Sequence, residues 1–592
     1  MAAINGLRAN IRHEMEQVLA EFVPVLQSWT DNDTRRLIDP FETVYSENYA
    51  PANAAVIYAS IYRSSGNPEH LHGCLTMVRR SAELLRIRTG ISPFCRVFLY
   101  HYSMMALLLL PDEARSGISG EFSEFYACYE DDCKQLNTNC AALQWGTELY
   151  LQSLGFRGAD VSKLEHLLHY VEQAQAPGGF INDEVTHSGT LDGMPIAYHA
   201  FTLFILFSSV VAVADRWPEQ LETYRTRSLA IIGRGLKWLT YCTTEDGTYA
   251  MIERSSHQMF TWGVYVALLS GSTAAESSAL FRHAWEYWLN FRHEDGSYGC
   301  TPNWLPHGLR TGFESYTHVN MYNNLGLTGI AVALKVLEAP KVWRDKLPPV
   351  QVSSECAYID EDSGYAFYRK GAHYFACSLR MHNRKYAPAL QGFHYRLSGC
   401  RLPLAEPRFK VIDADNRQFL AEGAWEGFLL KDESGTLHFP DSTDNANAQF
   451  TDTGVELVLD TVQYRCTKHI SAVENGFSWR YRLELKQAIT DCWHVLPLIV
   501  HDGRNGTKVV EKSASRMDVA YQGQSFSITY SRSSQIGMQL HRTLLSVSGA
   551  AANVHAVITG PYEAGAVLEW ETRLQVQREQ EGGGGNEGII RI

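Results

Sequence analysis

The hydrophobic pattern of the chain changes its period once, near residue 350, and this change constrains the fold more than any other feature. Up to about residue 340, apolar residues recur at three- and four-residue spacing, as in "VSKLEHLLHYVEQAQ" and "LAIIGRGLKWLTYC", which is typical of amphipathic helices. Farther along, segments such as "GVELVLDTVQYRCTKHI" and "FSWRYRLELK" alternate apolar and polar residues, which predicts strands. We therefore expect a helical half followed by an antiparallel β half.

The domain boundaries follow from this change of period. We expect a helical catalytic domain over residues 1–340, a linker over 341–352 and an antiparallel β-sandwich over 353–577. The linker region, "APKVWRDKLPPVQV", is rich in proline and charge, and the tail over 578–592 contains "GGGG", which predicts flexibility. A chain of 592 residues is too long for a single core, in agreement with two domains.

The helical half contains a repeated turn. The segments "LDGMP", "EDGTYA" and "EDGSYG" carry Asp192, Asp246 and Asp295, which lie 54 and 49 residues apart, and Asn139 lies 53 residues before the first of them. A period near 50 corresponds to a hairpin of two helices of about 15 to 20 residues. About six or seven hairpins then fill this half. They could stack as an open solenoid, but a turn of this kind at each repeat favours a closed (α/α) toroid, with the turns gathered at the mouth of a central cavity.

The composition excludes several classes of protein. The net charge of −13 argues against a nucleic acid or an anionic membrane as the partner. No apolar run reaches the roughly 18 residues of a transmembrane helix. The segment "MAAINGLRANIRHEMEQVLAEF" is typical of an amphipathic helix, not of a signal peptide, so we expect a cytoplasmic protein unless a secretion signal has been trimmed. The 12 cysteines are scattered without a CxxC pair, which predicts reduced thiols and no zinc knuckle.

Polar and aromatic side chains follow each repeated turn, and a toroid would bring them to one cavity. The set combines amides, phenols, imidazoles, a guanidinium and indoles. The candidates are Asn139, Gln144 and Trp145 in the first repeat, Tyr198 and His199 in the second, Arg254, His257, Gln258 and Trp262 in the third, and Trp304, Tyr316, His318, Tyr322 and Asn323 in the fourth. Each has a structural alternative: Asn139 could be a helix N-cap, and the indoles could belong to the core.

This set suits the β-elimination of a 4-linked uronic acid. The C5 proton becomes acidic only when the neighbouring carboxylate is neutralised, and we assign that task to Asn139 and Arg254. A base then takes the C5 proton and an acid protonates the departing O4. Tyr198 is assigned as the acid and as a candidate base. His199 is assigned as base or carboxylate partner, with His257 as the rival base.

Two other classes of function remain open. Hydrolysis needs two carboxyl groups across the scissile bond, and Asp183, Glu184 and Asp192 lie near the expected mouth. A toroid glycoside hydrolase, including an unsaturated uronyl hydrolase, is therefore the second hypothesis. A non-catalytic carbohydrate-binding protein is the third, because both folds host many functions. None of the three requires a cofactor.

At these residues the chain resembles the polysaccharide lyases that combine a toroid with a β-sandwich, the superfamily of the hyaluronate and chondroitin lyases, the heparinase II/III-like enzymes and several alginate and glucuronan lyases. "NTNCAALQWGTEL" resembles the segment whose asparagine neutralises the substrate carboxylate, which implies that role for Asn139. Some members have a histidine directly after that asparagine, where this chain has Cys140.

Two further segments carry the resemblance. "DGMPIAYHAF" is similar to the segment that brings the catalytic His and Tyr, and "RSSHQMF" is similar to an arginine-bearing start of an inner helix. The resemblance implies a uronic-acid polysaccharide or oligosaccharide as substrate, such as alginate, glucuronan or a glycosaminoglycan. It also implies products with an unsaturated C4=C5 bond.

One loop of the β half departs from the pattern of heparinase II-like members. "RMHNRKYAPALQGFHYRLSG" has His382 and His394 but no clear aspartate ligand between them, and a pair of histidines alone does not support a divalent metal. We predict no metal site there. Arg384 and His394 are expected instead to contact the substrate and to supply local positive potential in an acidic protein.

Overall fold

The structure, a computed structural model, forms two compact units, of which the first contains the helices and the second contains the strands. None of the helices it describes is long and apolar enough to cross a membrane. The residues that the structure describes are 2–87, 90–127, 137–183, 185, 196–250, 259–271, 275–306, 318–339, 350, 352–380, 389–407, 425–440, 445–539, 545–558 and 560–577.

The helices of the first unit occupy two layers, and most connections between them are short. Their bounds are α1 Ala2–Ser28, α2 Ala50–Ser65, α3 Pro68–Ile87, α4 Pro93–Leu109, α5 Asp112–Ser116, α6 Ser119–Ala127, α7 Thr138–Ser153, α8 Val161–Ala174, α9 Ile196–Ala212, α10 Glu222–Cys242, α11 Met259–Ser270, α12 Ala275–Leu289 and α13 Val319–Glu338.

Six helices of this unit form a closed inner ring. Helix α2 contacts α4, α4 contacts α7, and the series continues through α9, α11 and α13 back to α2. Helices α1, α3, α8, α10 and α12 pack outside this ring. Each outer helix returns the chain to the same end, so the N-termini of the inner helices gather at one mouth. The contact between α13 and α2 closes the ring, so the predicted (α/α) toroid is confirmed, with six inner helices in the described part of the chain, and an open solenoid is excluded.

Glycines allow the closest approach within the ring. A Cβ atom on Gly263 of α11 would lie 2.3 Å from the carbonyl oxygen of Gly326 in α13, and one on Gly329 would lie 2.5 Å from the backbone of Gly263. No side chain fits at those distances. The two helices therefore touch backbone to backbone at this point.

Three equivalent turns join outer to inner helices: Ala176–Phe180, Thr244–Thr248 and His293–Ser297. In each, the N–H of the first residue donates to the carbonyl of the fifth, at 2.8 Å, and the N–H of the fourth donates back to the carbonyl of the first. The fourth residue is a glycine with φ of 109°, 79° and 85° respectively, a left-handed conformation that favours glycine.

The first of these turns is not the one expected from the sequence. Asp192 lies outside the described residues, and the turn equivalent to the two Asp-Gly turns is "APGGF", whose Gly179 lies 68 residues before Gly247. The backbone requires a glycine at the fourth position but no aspartate at the third, because Gly178 serves there. The aspartates add local hydrogen bonds, as Asp295 accepts from the N–H of Ser297 at 2.9 Å.

The second unit is built from antiparallel strands. Their bounds are β1 Cys356–Asp360, β2 Tyr365–Lys370, β3 His373–Ser378, β4 Gly392–Leu397, β5 Gly427–Lys431, β6 Leu437–His438, β7 Asn447–Thr451, β8 Gly454–Asp460, β9 Tyr464–Val473, β10 Gly476–Leu485, β11 Asp491–His501, β12 Lys508–Ser513, β13 Arg516–Tyr521, β14 Gln524–Tyr530, β15 Gln535–Gln539, β16 Leu545–Ser546, β17 Gly549–Ile558 and β18 Val567–Val576.

These strands form three sheets around a common apolar core. The largest has the order β12-β13-β14-β18-β10-β9-β8-β7, the second has β15-β17-β11-β5-β6, and β1 to β4 form a third. In β10, Trp479, Tyr481 and Leu483 are buried whereas Arg480 and Arg482 are exposed, the two-residue alternation that predicted a strand. The predicted antiparallel β-sandwich is confirmed.

Candidate active site

Some of the predicted site residues lie outside the described part of the chain. Their roles therefore stay predictions. They are Arg254, His257, Gln258, Tyr316 and Arg384.

The start of α7 places Asn139 inside the helix, not at its cap. Asn137 is the N-cap, with an extended backbone, and its side chain accepts a hydrogen bond from the N–H of Cys140 at 2.9 Å. The N-cap alternative for Asn139 is therefore wrong, because Asn137 already fills that position. The Asn139 amide is left to bond with neighbouring elements.

The Asn139 amide is held from two sides. Its Nδ2 donates to Oδ1 of Asp183 at 3.3 Å, and its Oδ1 accepts from the hydroxyl of Thr202 at 2.5 Å. A carboxylate only accepts, so the NH₂ group must face Asp183 and the amide oxygen must face Thr202. Asn139 is 1% exposed, and its NH₂ group carries a second N–H beyond the one used by Asp183.

Asp183 is placed by the segment that follows the Ala176–Phe180 turn. Its carbonyl accepts from the N–H of Thr138 at 2.7 Å, and the Thr138 hydroxyl donates to the carbonyl of Asn182 at 2.5 Å. These bonds join the segment to the first turn of α7. The Asp183 carboxylate is consequently next to Asn139, and Asp183 is 8% exposed.

Tyr198 lies in the first turn of α9, on the same face as Thr202. Residues four apart on a helix are neighbours, about 6 Å apart along the axis. Since Thr202 contacts Asn139 directly, Tyr198 lies one turn closer to the mouth on the face that the helix turns toward Asn139. Tyr198 is partly exposed, whereas Thr202 is buried. The Asn139 amide therefore bonds to the same face of α9 that carries Tyr198 one turn earlier.

His199 points elsewhere and is buried among aromatic rings. Its Nδ1 accepts from the N–H of Ile181 at 2.9 Å, and its Nε2 lies 3.2 Å from the carbonyl of Gly235, to which it donates. Phe180 stacks on the imidazole at 5.0 Å, and Trp238 meets it edge-on. Burial lowers the pKa of His199 to about 3, so the ring stays neutral.

This geometry contradicts the expected role of His199 as a base or carboxylate partner. Both ring nitrogens are occupied by backbone groups, and the side chain has no exposed surface. Neighbouring helix residues point about 100° apart, and here that angle sends Tyr198 to the mouth and His199 into the packing against α10. His199 instead holds the segment that carries Asp183.

Aromatic side chains near the starts of the inner helices pack against one another. Tyr49, Phe98, Phe201, Phe260 and Tyr322 come from the start of α2 and from four other inner helices. Successive ring centroids lie 4.6, 5.9, 5.9 and 4.8 Å apart. All five are between 1% and 7% exposed. Tyr322, expected to bind substrate, is thus one of a series of closely packed aromatic rings, and its contact with substrate stays a prediction.

Several other predicted contacts are buried in the helix packing. Trp145 is 0% exposed, Trp262 is 2% exposed and Gln144 is 0% exposed. Trp262 packs on Tyr287 at 4.6 Å. No indole face of this pair is exposed to stack on a sugar, so for these residues the core alternative is correct.

Asn323 also has a structural task. Its amide oxygen accepts from the N–H of Tyr298 at 2.7 Å, and its Nδ2 donates to the carbonyl of the same residue at 3.1 Å. These two bonds secure the residue that follows the His293–Ser297 turn. The side chain predicted to bind substrate is therefore committed to the backbone.

His318 directly precedes α13, and its side chain contacts the connection between α1 and α2. Its Nδ1 lies 2.9 Å from the hydroxyl of Ser46, and its Nε2 lies 3.6 Å from the carboxylate of Glu42. Both partners belong to the connection between α1 and α2. His318 remains partly exposed at the mouth, where a substrate contact stays a prediction.

Trp304 and His394 belong to the second unit. The N–H of Trp304 donates to the carbonyl of Asp502 at 2.8 Å, and Arg504 covers its ring at 4.6 Å. His394 is 3% exposed and has a left-handed backbone, with φ of 52°. Its N–H and Nδ1 both meet the carboxylate of Glu406, at 3.0 and 3.1 Å.

The described residues contain no cluster of three or more His, Cys, Asp or Glu side chains placed to hold a metal ion. The contact between His394 and substrate stays a prediction.

Sequence reasoning missed Thr202. A signal was available: Thr202 is the one polar residue in the stretch "AFTLFILF", and it lies four residues after Tyr198. A lone hydroxyl in an apolar helix needs a partner, and here the partner is the Asn139 amide.

Comparison with known proteins supports the architecture. No protein-family model matches the chain, and no curated protein matches it. Among solved structures, the heparinase III BT4657 gene product superposes with a TM-score of 0.52 at 9% identity, covering 95% of this chain and 84% of that one.

Two further matches are more distant. A heparan sulfate lyase HepC mutant from Pedobacter heparinus has a TM-score of 0.38 at 8% identity and covers 83% of this chain and 78% of that one. A glycosyl hydrolase family 88 protein from Bacteroides vulgatus has a TM-score of 0.39 at 13% identity and covers 55% of this chain and 99% of that one. The likeness to heparinase III shows that this chain has the same fold, a helical toroid followed by an antiparallel β half.

Proposed function

We propose that the protein is a lyase that cleaves 4-linked uronic-acid glycans by β-elimination at the mouth of its toroid. One observation carries the proposal: an asparagine amide held in a defined orientation is bonded to a threonine that lies one helical turn from a partly exposed tyrosine. The amide of Asn139 is fixed by Asp183 and Thr202, and Tyr198 shares the helix face of Thr202. An oriented donor beside a phenol meets the two demands of elimination, which are neutralisation and proton transfer.

Asn139 has the role of neutralising the substrate carboxylate. Its second N–H donates to a carboxylate oxygen, and that hydrogen bond strengthens as negative charge moves onto the oxygen in the transition state. The amide is already held by its neighbours, so little reorganisation accompanies the reaction. Arg254 is proposed as the second donor to the same carboxylate.

Tyr198 has the role of moving protons. The C5–H bond breaks, its electrons form the C4=C5 double bond, and the C4–O4 bond breaks as O4 leaves with a proton from the acid. Tyr198 supplies that proton. The base is Tyr198 itself, as phenolate, or His257, because His199 has no nitrogen available. A phenolate near neutral pH requires a nearby cation to lower the tyrosine pKa, and Arg254 is the proposed cation.

Hydrolysis is the second candidate, and Asp183 is the observation that favours it. A carboxylate beside the proposed site could serve as one of the two that a glycosidase needs. The Asp183 carboxylate already accepts a hydrogen bond from Asn139, so orienting that amide is a simpler role for it than catalysis. The second carboxylate would have to come from Glu184 or Asp192.

The products separate the candidates. The purified protein would be incubated with alginate, glucuronan, heparan sulfate and chondroitin sulfate, and both new reducing ends and ultraviolet absorbance would be followed. A lyase produces reducing ends together with the absorbance of a conjugated C4=C5 uronate. Hydrolysis of these chains produces reducing ends alone, an unsaturated uronyl hydrolase removes the absorbance of lyase products, and a binding protein does neither.

A further inference from the structure

We infer that Thr202 is a positioning residue, whose hydroxyl holds the Asn139 amide so that its N–H, and not its carbonyl, faces the substrate carboxylate. This inference rests on the proposed elimination. The lengths of the two hydrogen bonds to the Asn139 amide support the positioning role. The Thr202 hydroxyl donates to the amide oxygen at 2.5 Å, whereas the bond from the amide to Asp183 is long, at 3.3 Å. The shorter of the two contacts belongs to Thr202.

The setting of Thr202 is unusual for a threonine inside a helix. Such a hydroxyl commonly bonds to the carbonyl four residues earlier in its own helix. Thr147 of α7 does so, with its hydroxyl 2.8 Å from the carbonyl of Leu143. The Thr202 hydroxyl instead crosses from α9 to a side chain of α7. Both partners are 1% exposed, so water does not compete for this bond.

The orientation of the amide decides its chemical effect. With its oxygen bonded to Thr202, Asn139 directs its NH₂ group to Asp183 and leaves one N–H for a second acceptor. A reversed amide would present a carbonyl oxygen to the carboxylate of the substrate, and the two would repel. Without the hydroxyl, the amide loses the shorter of the two bonds that hold this orientation and keeps only the long one to Asp183. The reaction then slows although the amide is still present.

The test replaces the hydroxyl and keeps the shape. Thr202→Val substitutes a methyl group for the hydroxyl, and Thr202→Ser restores the hydroxyl. We expect Thr202→Val to lower kcat roughly 3- to 10-fold, the range of one neutral hydrogen bond, with little change in KM. Thr202→Ser should recover most of the loss. Thr147→Val is the matched control, because it removes a buried hydroxyl from a neighbouring inner helix and should leave kcat unchanged.

A double-mutant cycle shows whether Thr202 acts through Asn139. The assay follows the ultraviolet absorbance of the product from whichever of the four polysaccharides is cleaved. In an Asn139→Ala background, Thr202→Val should cause no further loss of kcat. A folded Thr202→Val protein with wild-type kcat would overturn the inference. So would a loss as large in the Asn139→Ala background as in the wild type.

Failure of the inference can be told from failure of the proposed function. If Asn139→Ala is inactive and Thr202→Val is fully active, the elimination stands and the positioning role falls. If no polysaccharide yields the absorbing product, the proposed elimination falls and takes the positioning role with it. If Asn139→Ala forms that product at the wild-type rate, the elimination stands, but the neutralising role of Asn139 and the positioning role of Thr202 both fall.

Discussion

Acidification should destabilise the toroid through two buried histidines. Burial lowers the pKa of both His101 and His199 to about 3, whereas an imidazole in an unfolded chain titrates near 6.5. Between these values the unfolded state binds one more proton per histidine than the folded state. The free energy of unfolding therefore rises with pH in this window, by about 1.4 kcal/mol per pH unit for each histidine. The stability that the two neutral histidines contribute is fully present above about pH 6.5 and is lost as the pH falls toward 3.

A substitution at His199 measures how much of this loss of stability comes from that histidine. Lowering the pH from 6.5 to 5.0 should cost about 2 kcal/mol for each histidine. In His199→Gln, the side-chain amide can accept from the N–H of Ile181 and donate to the carbonyl of Gly235, but it does not titrate. The variant should lose about 2 kcal/mol less than the wild type over the same interval.

Hydrogen exchange measured on peptides from α7 and α9 gives the opening free energy of this unit at each pH, after correction for intrinsic exchange rates. His166→Gln, at an exposed position of α8, is the matched control and should keep the wild-type pH dependence. An unchanged slope in His199→Gln would refute the reasoning, because it would mean that His199 binds its proton equally in both states.

Two further predictions concern the proposed site and the ring. Tyr198→Phe should abolish the ultraviolet-absorbing product while the protein stays folded, because the aromatic ring is kept and only the hydroxyl is removed. Wild-type turnover would make Tyr198 a packing residue. Gly263→Ala should destabilise the toroid by roughly 1–3 kcal/mol, the usual cost of overpacking, because the new methyl group meets the Gly326 carbonyl; chemical denaturation measures it. Gly120→Ala, whose Cβ would meet nothing within 4 Å, is the control, and equal stability of the two variants would contradict the close packing.

The periodicity of the sequence predicts most of this fold because burial itself is periodic. In α8, the buried positions are Leu164, Leu167, Leu168, Val171 and Ala174, and all five are apolar. The closure of the ring is less accessible to such reasoning. One of its helix contacts, between α11 and α13, brings the backbones of Gly263 and Gly326 together, and a glycine in a helix gives no sign in sequence of what approaches it.

The turns show why the sequence reveals the helical-hairpin repeat only in part. Asp-Gly pairs mark the turns at Thr244–Thr248 and His293–Ser297, but the equivalent turn before α9 uses Gly178 and Gly179. The physical requirement is a left-handed residue at the fourth position, and glycine alone meets it in all three. A search for that glycine, without the aspartate, would have found the turn.

The candidate site was predicted in its residue types more than in its geometry. Asn139 is hydrogen-bonded to Thr202, which lies one helical turn from Tyr198, so the two predicted residues lie on facing helices, and their shared role stays a prediction. His199 could not be assigned, since adjacent residues differ in direction by about 100° and the sequence does not say which one faces the cavity. For the same reason the sequence does not say whether Trp145 and Trp262 face the cavity or the core, and their burial shows that they are core residues.

The most direct test of the account is the turnover of Asn139→Ala on a cleaved uronic-acid polysaccharide, read by ultraviolet absorbance of the C4=C5 product. Loss of one oriented donor to developing charge typically costs about 2.7–4 kcal/mol in the barrier, so kcat should fall roughly 100- to 1,000-fold. The thermal midpoint should change little by comparison. A folded Asn139→Ala protein that forms the absorbing product at the wild-type rate would contradict the central claim that this amide neutralises the substrate carboxylate.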